Sequence, residues 1–557
     1  MKKLLIIALF FTVFNHAFSQ AYKITYLKSS NGTLIDGQEP IIIYATAEVT
    51  HLSSGTATKE GAVYPYETTT VDRSGAKMTV LQEAWLNKNK RIHYIDSADI
   101  NNQKFEFLPE TKKILGYHCK KAKTIINSNT IELWYTDELR VKGAPSLLGQ
   151  GLGLVLETNR NGNFTITATT IKKMKQEPRE VLLSPEIIKN AVDQLTYKDL
   201  LWKSRFTTIN VFKDQIINFS DASESNDSIL KFANGTIAIR KIKFPEIKPG
   251  SQVFADVTEQ SNGDAYDRTG SFFIIPTNKA TSFLDGLKNG TKALPAYTNG
   301  NGKEYQGVAA TPEYNPVVEL MRFYTPFGVK QYNNLQLKDK TWADNAMYRQ
   351  DISDLRSMLS NQEVWVGIFI GNYDKSGHKV SANITLHNEE EGSKISLQTV
   401  PLFCTNNIME MAGQEYGTMF NNDKGLEVNF KLDKPMKNCR LRYITTGHGG
   451  WENGDEFVPK KNSVFLDGKE AFSFTPWRQD CGSYRLSNPA SGNFPNGLSS
   501  SDYSRSNWCP GTVTNPIFID LGNLEPGNHS IQIKIPQGLP EGSSFSSWNV
   551  SGVLIGE

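Results

Sequence analysis

Thr446-Gly447-His448-Gly449-Gly450-Trp451-Glu452-Asn453-Gly454-Asp455-Glu456-Phe457 reads as a glycine-rich, aromatic-bearing loop. It carries acidic residues to the head of a strand, Asn462-Ser463-Val464-Phe465-Leu466. Glycines let a backbone turn sharply and approach a ligand closely, and an aromatic beside carboxylates suits a sugar-like substrate. A second cluster, Asp264-Ala265-Tyr266-Asp267-Arg268, holds a similar position just before the apolar run Phe272-Phe273-Ile274-Ile275. Two acidic loops, each leading into a strand, predict one site shared by two β-domains.

The rest of the chain is compatible with that plan. Short runs rich in Val, Ile, Thr, Phe and Tyr alternate with Gly, Asn and Asp, and long periodic helical stretches are few, so the protein is expected to be mostly β. Its 557 residues imply about three domains at about 150 residues each. Residues 20–180 read as a first β domain, with strands such as Tyr22–Tyr26, Ile41–Tyr44, Ile131–Tyr135 and Phe164–Ala168. Residues 181–206 read as a helical connector. Pro185 stands in its first turn behind Ser184 as cap, and Ile187, Ile188, Val192, Leu195, Leu200 and Leu201 recur at near-helical spacing. Residues 207–390 and 391–557 are each the size of an eight-stranded double-sheet sandwich, divided near Glu389-Glu390-Glu391-Gly392.

Residues 1–19 have the form of a cleaved secretory leader: Lys2 and Lys3, the apolar Leu4 to Phe14, then Ala17-Phe18-Ser19. The apolar run is shorter than the roughly 20 residues a bilayer span needs. An exported protein with no membrane span is therefore expected, periplasmic or secreted. Without the leader the chain carries 58 basic and 58 acidic residues. That balance, without a basic block, gives no footprint for nucleic acid. Among the five cysteines, Cys481 and Cys509 flank a Ser/Gly/Asn-rich loop that a clamp would stabilise. Cys404 with Cys439 is a second candidate pair, and Cys119 is then left over; connectivity is not readable from sequence alone. His118 and Cys119 are weighed as metal ligands against ordinary strand residues, and the latter reading is preferred. No CxxC pair occurs, so no thiolate zinc site, and no cofactor, is expected.

Several motifs carry resemblances. Tyr117–Ala122, the Trp134-Tyr135 strand and the glycine-leucine run Gly143–Glu157 resemble the small exported β-domains of the GLPGLI family. From about Val211 onward the chain resembles the peptide:N-glycosidase F family. The carriers are Asp264–Arg268, Arg322-Phe323-Tyr324-Thr325-Pro326-Phe327, Leu441–Gly449 before the Glu456 loop, and Ser504-Arg505-Ser506-Asn507-Trp508-Cys509-Pro510-Gly511. The resemblance implies two side-by-side eight-stranded jelly-roll domains behind the extra β-rich domain and short helix. It also implies a site in the cleft between them and a Cys481–Cys509 disulfide beside it. Asp267 is then the principal catalytic carboxylate and Glu456 its partner, while Arg268, Tyr266, Arg505, Trp508, His448 and Trp451 line the substrate site. Three departures stand out. The family's third acidic residue falls near Ile368-Phe369-Ile370, where the nearest carboxylate is Asp374. The family's cysteine pairs near its catalytic aspartate and glutamate are missing, and His448 stands near a position where relatives carry tryptophan.

The implied reaction hydrolyses the amide between an asparagine side chain and the first N-acetylglucosamine of an N-glycan, with N-glycoproteins as substrate and the enzyme working as a monomer. A pair of carboxylates also suits an endo-acting glycoside hydrolase, and an aromatic cleft suits a non-catalytic glycan-binding protein. A copper monooxygenase is excluded, because only seven histidines remain after the leader and none shows His-x-His or His-x-x-His spacing.

Overall fold

The computed structural model describes residues 20–55, 57, 62–174, 185–328, 338–387, 395–449, 454–489, 500–540 and 544–557. The proposed leader and Trp451 lie outside them. The chain forms two compact units, Met1–Arg205 and Phe206–Glu557.

The first unit is built on one large antiparallel sheet. Its central neighbours, Ala21–Ser30 and Phe164–Met174, bring the two ends of the domain together. Ile24, Tyr26, Ile43, Leu154 and Leu156 fill its core, the period-2 burial expected of half-buried strands. His118 is exposed and Cys119 buried, so adjacent residues of one strand point to opposite faces. The helical segment differs from the sequence expectation: it is two helices, Pro185–Asn190 and Gln194–Lys203. Between them Val192 donates its N–H to the carbonyl of His93 (3.0 Å), and Asp193 caps the second helix by accepting from the Thr196 N–H (2.9 Å). Sheet pairing and a cap thus interrupt a periodic pattern that read as continuous. Tyr197 of the second helix is buried edge-on against Tyr94.

The second unit holds two sandwiches. In the first, the sheet Thr207–Ile217, His378–His387, Gln252–Ser261, Ala346–Asp351 faces a sheet ordered Leu230–Phe232, Ile237–Lys243, Glu363–Ile370, Thr269–Ile275, Val318–Tyr324, Val513–Thr514. In the second, Gln398–Cys404, Ser546–Gly556, Met436–Gly449, Ile517–Leu524 faces Leu426–Leu432, Gly527–Lys534, Asn462–Leu466, Lys469–Phe474. The chain is mostly β: in sequence order, a β-rich domain is followed by two side-by-side jelly rolls. Each sandwich has its own apolar core, but Val553 and Ile555 of the second reach into the core of the first.

Buried ions fasten the two sandwiches. Glu319 and Arg322, both fully buried, pair at 2.5 Å. Arg322 also donates to the Asn549 carbonyl (2.6 Å) and to Thr446 Oγ1 (3.1 Å). Ser271, Asn406 and Ser551 complete the shell of Glu319. A buried charge is tolerated only when paired and hydrogen-bonded, and Arg322 lowers the Glu319 pKa against the opposing effect of burial.

Two sequence expectations change here. Thr446 to Gly449, read as loop, is the end of the long strand Met436–Gly449. Gly447 serves packing: a Cβ there would lie 2.8 Å from Ser506 Cβ and Trp548 Cζ2. Only Gly449, at φ +76°, uses a glycine's backbone freedom. Cys404 and Cys439 are buried, free thiols. The strand Ser546–Gly556 runs between their strands, a gap of two strand spacings, about 9.5 Å, beyond what a disulfide spans.

Candidate active site

Asp267 and Arg268 lie in the segment joining strands Gln252–Ser261 and Thr269–Ile275. The backbone there is fixed by Thr325: its Oγ1 accepts from the Arg268 N–H (2.8 Å), and its own N–H donates to the Arg268 carbonyl (2.9 Å). Glu456 sits in the turn after strand Met436–Gly449, its N–H facing the Gly449 carbonyl. Asp455 anchors that turn from below, where its buried carboxylate accepts from Trp548 Nε1 (2.7 Å) and from the Gly538 N–H.

Arg505 joins the two acids. Its segment reaches the first sandwich because Val513–Thr514 adds to the edge of strand Val318–Tyr324. The Cys481–Cys509 disulfide and backbone pairing between Arg478 and Arg505 hold the other side. The result is a guanidinium only 1 % exposed whose Nη1 donates to Asp267 Oδ2 at 3.1 Å and to Glu456 Oε1 at 2.6 Å. One nitrogen therefore touches a carboxylate from each sandwich. Burial raises both acids and Arg505 only partly offsets it. Asp267 stands above the usual aspartate range, and Glu456, with the Asp267 charge added, is pushed up to about 7.

Arg268 faces another way. Its Nε and Nη2 form a side-on pair with Asp264 (2.6 and 3.1 Å). Burial would raise the Asp264 pKa, but its bonds to His378 and Arg268 bring it down to about 2. The ring of Tyr266 is 58 % exposed, flanked by Arg268 and edge-on to Phe327.

Trp508 and His448 turn toward the interior, the first buried and the second half-buried. Trp508 is buried, one side stacked on Tyr324 (4.3 Å) and another under Arg505 (4.4 Å), with Nε1 donating to the Gly447 carbonyl. Its ring supports Arg505 from below and is 3 % exposed. His448 is likewise turned inward, with Nε2 against Tyr324 Oη (3.0 Å) and Thr446 Oγ1 (2.8 Å). Burial, with Arg322 and Arg505 nearby, lowers its pKa to about 3, so it is neutral. Asp374 does not join the acidic pair. Its Oδ1 accepts the N–H groups of Ser376 and Gly377 and so shapes a turn.

Sequence reasoning missed three contributors. Tyr324 was quoted only as part of a strand, and nothing local marks it as the plate under Trp508. Glu259 and His378 sit behind Asp264, and their separation of 119 residues leaves no sequence signal. Among the described residues no group of three His, Cys, Asp or Glu side chains is placed to hold a metal ion, and no helix is long and apolar enough to cross a membrane.

Comparison with known proteins places these features in a family. The N-terminal domain of N-glycanases matches residues 24–199, the segment with GLPGLI-like motifs. The N-terminal and C-terminal domains of peptide-N-glycosidase F match residues 208–386 and 415–555. The structure of PNGF-II in space group C2 is 54% identical, covering 97% of this chain and 98% of that one, with a TM-score of 0.86. PNGF-II in space group P21 is 55% identical over 97% and 99%, with a TM-score of 0.87. PNGase F, a glycosylasparaginase from Flavobacterium meningosepticum, is 16% identical over 63% of this chain and 96% of that one, with a TM-score of 0.42. A search of the curated proteins found no match. With more than half its residues identical to PNGF-II over nearly its whole length, the chain belongs to the peptide:N-glycosidase F family of N-glycanases.

Proposed function

We propose that this N-glycanase is an exported amidase that hydrolyses the bond between an asparagine side chain and the first N-acetylglucosamine of N-linked glycans. The products are aspartate and a glycosylamine, which decays to free sugar. The observation that carries this reading is the single Arg505 nitrogen shared by Asp267 and Glu456 across the two sandwiches.

The groups fit the chemistry of amide attack. Asp267 orients a water and takes its proton as the water oxygen bonds to the amide carbon, a contribution typically worth about 10²–10⁴-fold. The carbonyl oxygen becomes an oxyanion, and a guanidinium is suited to stabilise it. Arg268 can serve, because its side-on pair with Asp264 leaves Nη1 on the opposite edge. Collapse of the intermediate breaks the C–N bond and the leaving nitrogen takes a proton. Glu456, whose pKa of about 7 keeps it protonated well above the usual glutamate range, supplies it. Tyr266, with its ring open to solvent, provides an apolar wall for a sugar face.

Digestion of an N-glycopeptide in heavy-oxygen water tests the reading. Labelled aspartate at the former glycosylation site, with the chitobiose core intact on the freed glycan, is the expected result. An asparagine still carrying one sugar would make the protein a glycosidase cutting between sugars, and unaltered glycopeptide that stays bound would make it a binding module.

A further inference from the structure

Behind Arg268 lies a buried chain of charges that the hydrolysis itself does not use. His378 is fully buried at the head of strand His378–His387. Its Nδ1 is 2.8 Å from Glu259 Oε1, and its Nε2 is 3.4 Å from Asp264 Oδ2. Asp264, 2 % exposed, holds Arg268 through two nitrogens and also accepts the Tyr266 N–H (3.1 Å). The backbone around this chain is closely specified. Asn262 donates its N–H to the Gly377 carbonyl (2.8 Å), and Asp374 fixes the turn before His378. Gly377, at φ +58°, could carry no side chain, since a Cβ would lie 2.2 Å from the Ile217 carbonyl.

We propose that His378, as an imidazolium clamped between Glu259 and Asp264, is a positioning residue that fixes the Asp264 carboxylate and through it the guanidinium of Arg268 beside the catalytic Asp267. The reasoning is one of charge. Two carboxylates this deep cannot both stay ionised beside a neutral ring. If Asp264 took up the proton, it would lose one of the two acceptor positions that grip Arg268. A protonated His378 donates from Nδ1 to Glu259 and sets its positive charge 3.4 Å from Asp264, which leaves both acceptor positions of Asp264 to the arginine. Tyr348, on strand Ala346–Asp351, also faces the cluster, and its phenol is held well above its ordinary range by burial and by Glu259. It is neutral and contributes no charge. Burial alone would lower the His378 pKa, but its pairing with Asp264 and Glu259 lifts it to about 9, in agreement with the geometry.

The inference rests on the amidase reading for its activity readout but not for its direct test. In enzyme labelled with ¹⁵N-histidine, one exchange-protected imidazole with both nitrogens protonated at pH 7.5 is expected. A neutral tautomer at His378 overturns the proposal, whatever the enzyme cleaves, and this measurement needs no variant. Kinetics test the coupling. His378→Gln should lower kcat/KM for a glycopeptide by about 10- to 100-fold, the scale of one charge-assisted hydrogen bond. The same change made in an Arg268→Ala background should cost less than about twofold, because its route to the substrate is already gone. Losses that multiply in the double variant would show that His378 acts elsewhere or only on stability. Product analysis of the unaltered enzyme separately decides whether the amidase reading holds.

Discussion

Replacing Glu456 by glutamine should make the protein more stable at alkaline pH while removing most of its activity. In the folded state the Glu456 pKa is raised from 4.5 to about 7, by burial first and then by the neighbouring Asp267. Between those values the folded protein keeps a proton that the unfolded chain releases, so stability falls as pH rises through that window. The cost is fully present above pH 7 and absent below about pH 4.5. At 1.36 kcal/mol per pH unit it amounts to about 3 kcal/mol. The side chain is only 19 % exposed, so solvent screening removes little of it. Glutamine keeps the shape and an acceptor for Arg505 but has no proton to lose. The stability of Glu456→Gln minus that of the unaltered protein, from urea titrations at fixed pH, should therefore climb from about 1 kcal/mol at pH 5 to about 3 kcal/mol at pH 8. The background of every other titrating group largely cancels in that difference. A difference that stays flat with pH, or a glutamine variant that is weaker at pH 8, would refute the claim that this acid is held against its preference.

Asp267→Asn should cut glycan release by about 10²–10⁴-fold with an unchanged circular dichroism spectrum, since the amide still accepts from Arg505. Opening the Cys481–Cys509 bridge, which closes a separation of 28 residues, should cost about 3 kcal/mol and reduce activity in parallel, read from thermal melts and turnover with and without reductant. Gly447→Ala forces a methyl against Ser506 and Trp548. It should destabilise by about 1–3 kcal/mol and lower kcat/KM, because Ser506 adjoins Arg505. His378→Gln should abolish a fall in stability between about pH 6.5 and 9: the histidine's raised value makes its stabilisation complete below pH 6.5 and lost as pH rises through 9.

What could be read from the sequence was what the chain encodes locally. Alternating β-branched and aromatic runs marked strands, so Asn462–Leu466 and the strand holding Phe272 to Ile275 appear where expected. The Asp264–Arg268 and Glu456 clusters announced themselves as short acidic runs, and the structure brings Asp267 and Glu456 to one arginine. Failures came where a tertiary contact overrides a local signal. The glycines of Thr446–Gly449 suggested a loop, yet Gly447 is small because Trp548 needs the space. The stacking of Trp508 between Tyr324 and Arg505 is likewise set by partners distant in sequence. The periodicity of the helical segment could not show that Val192 pairs with the sheet at His93. His378 was invisible for a different reason: a lone histidine opening an amphipathic strand carries no mark of the two carboxylates that flank it in space.

In three buried clusters the direction of each carboxylate or histidine shift agrees with a count of the charges around it. In the lock between the sandwiches one arginine, Arg322, meets one acid, Glu319, amid neutral donors. The pair is balanced, and the acid is driven to ionise more readily than usual. Around Asp264 two acids face Arg268 and His378, and the count balances only if the histidine carries a proton, which is why its affinity for one rises. At Arg505 two acids share one guanidinium. Arg268, whose charge also reaches Asp267, is already paired side-on with Asp264, and the raised Glu456 is the acid that holds a proton in compensation. Buried carboxylates that share a cation cannot all ionise without paying for desolvation, so the imbalance stores a proton where a leaving nitrogen would need one. Adding a cation there would stabilise the fold and, on the same argument, deprotonate the acid that the proposed mechanism uses. In this cluster, on the proposed mechanism, better electrostatic pairing would make a worse enzyme.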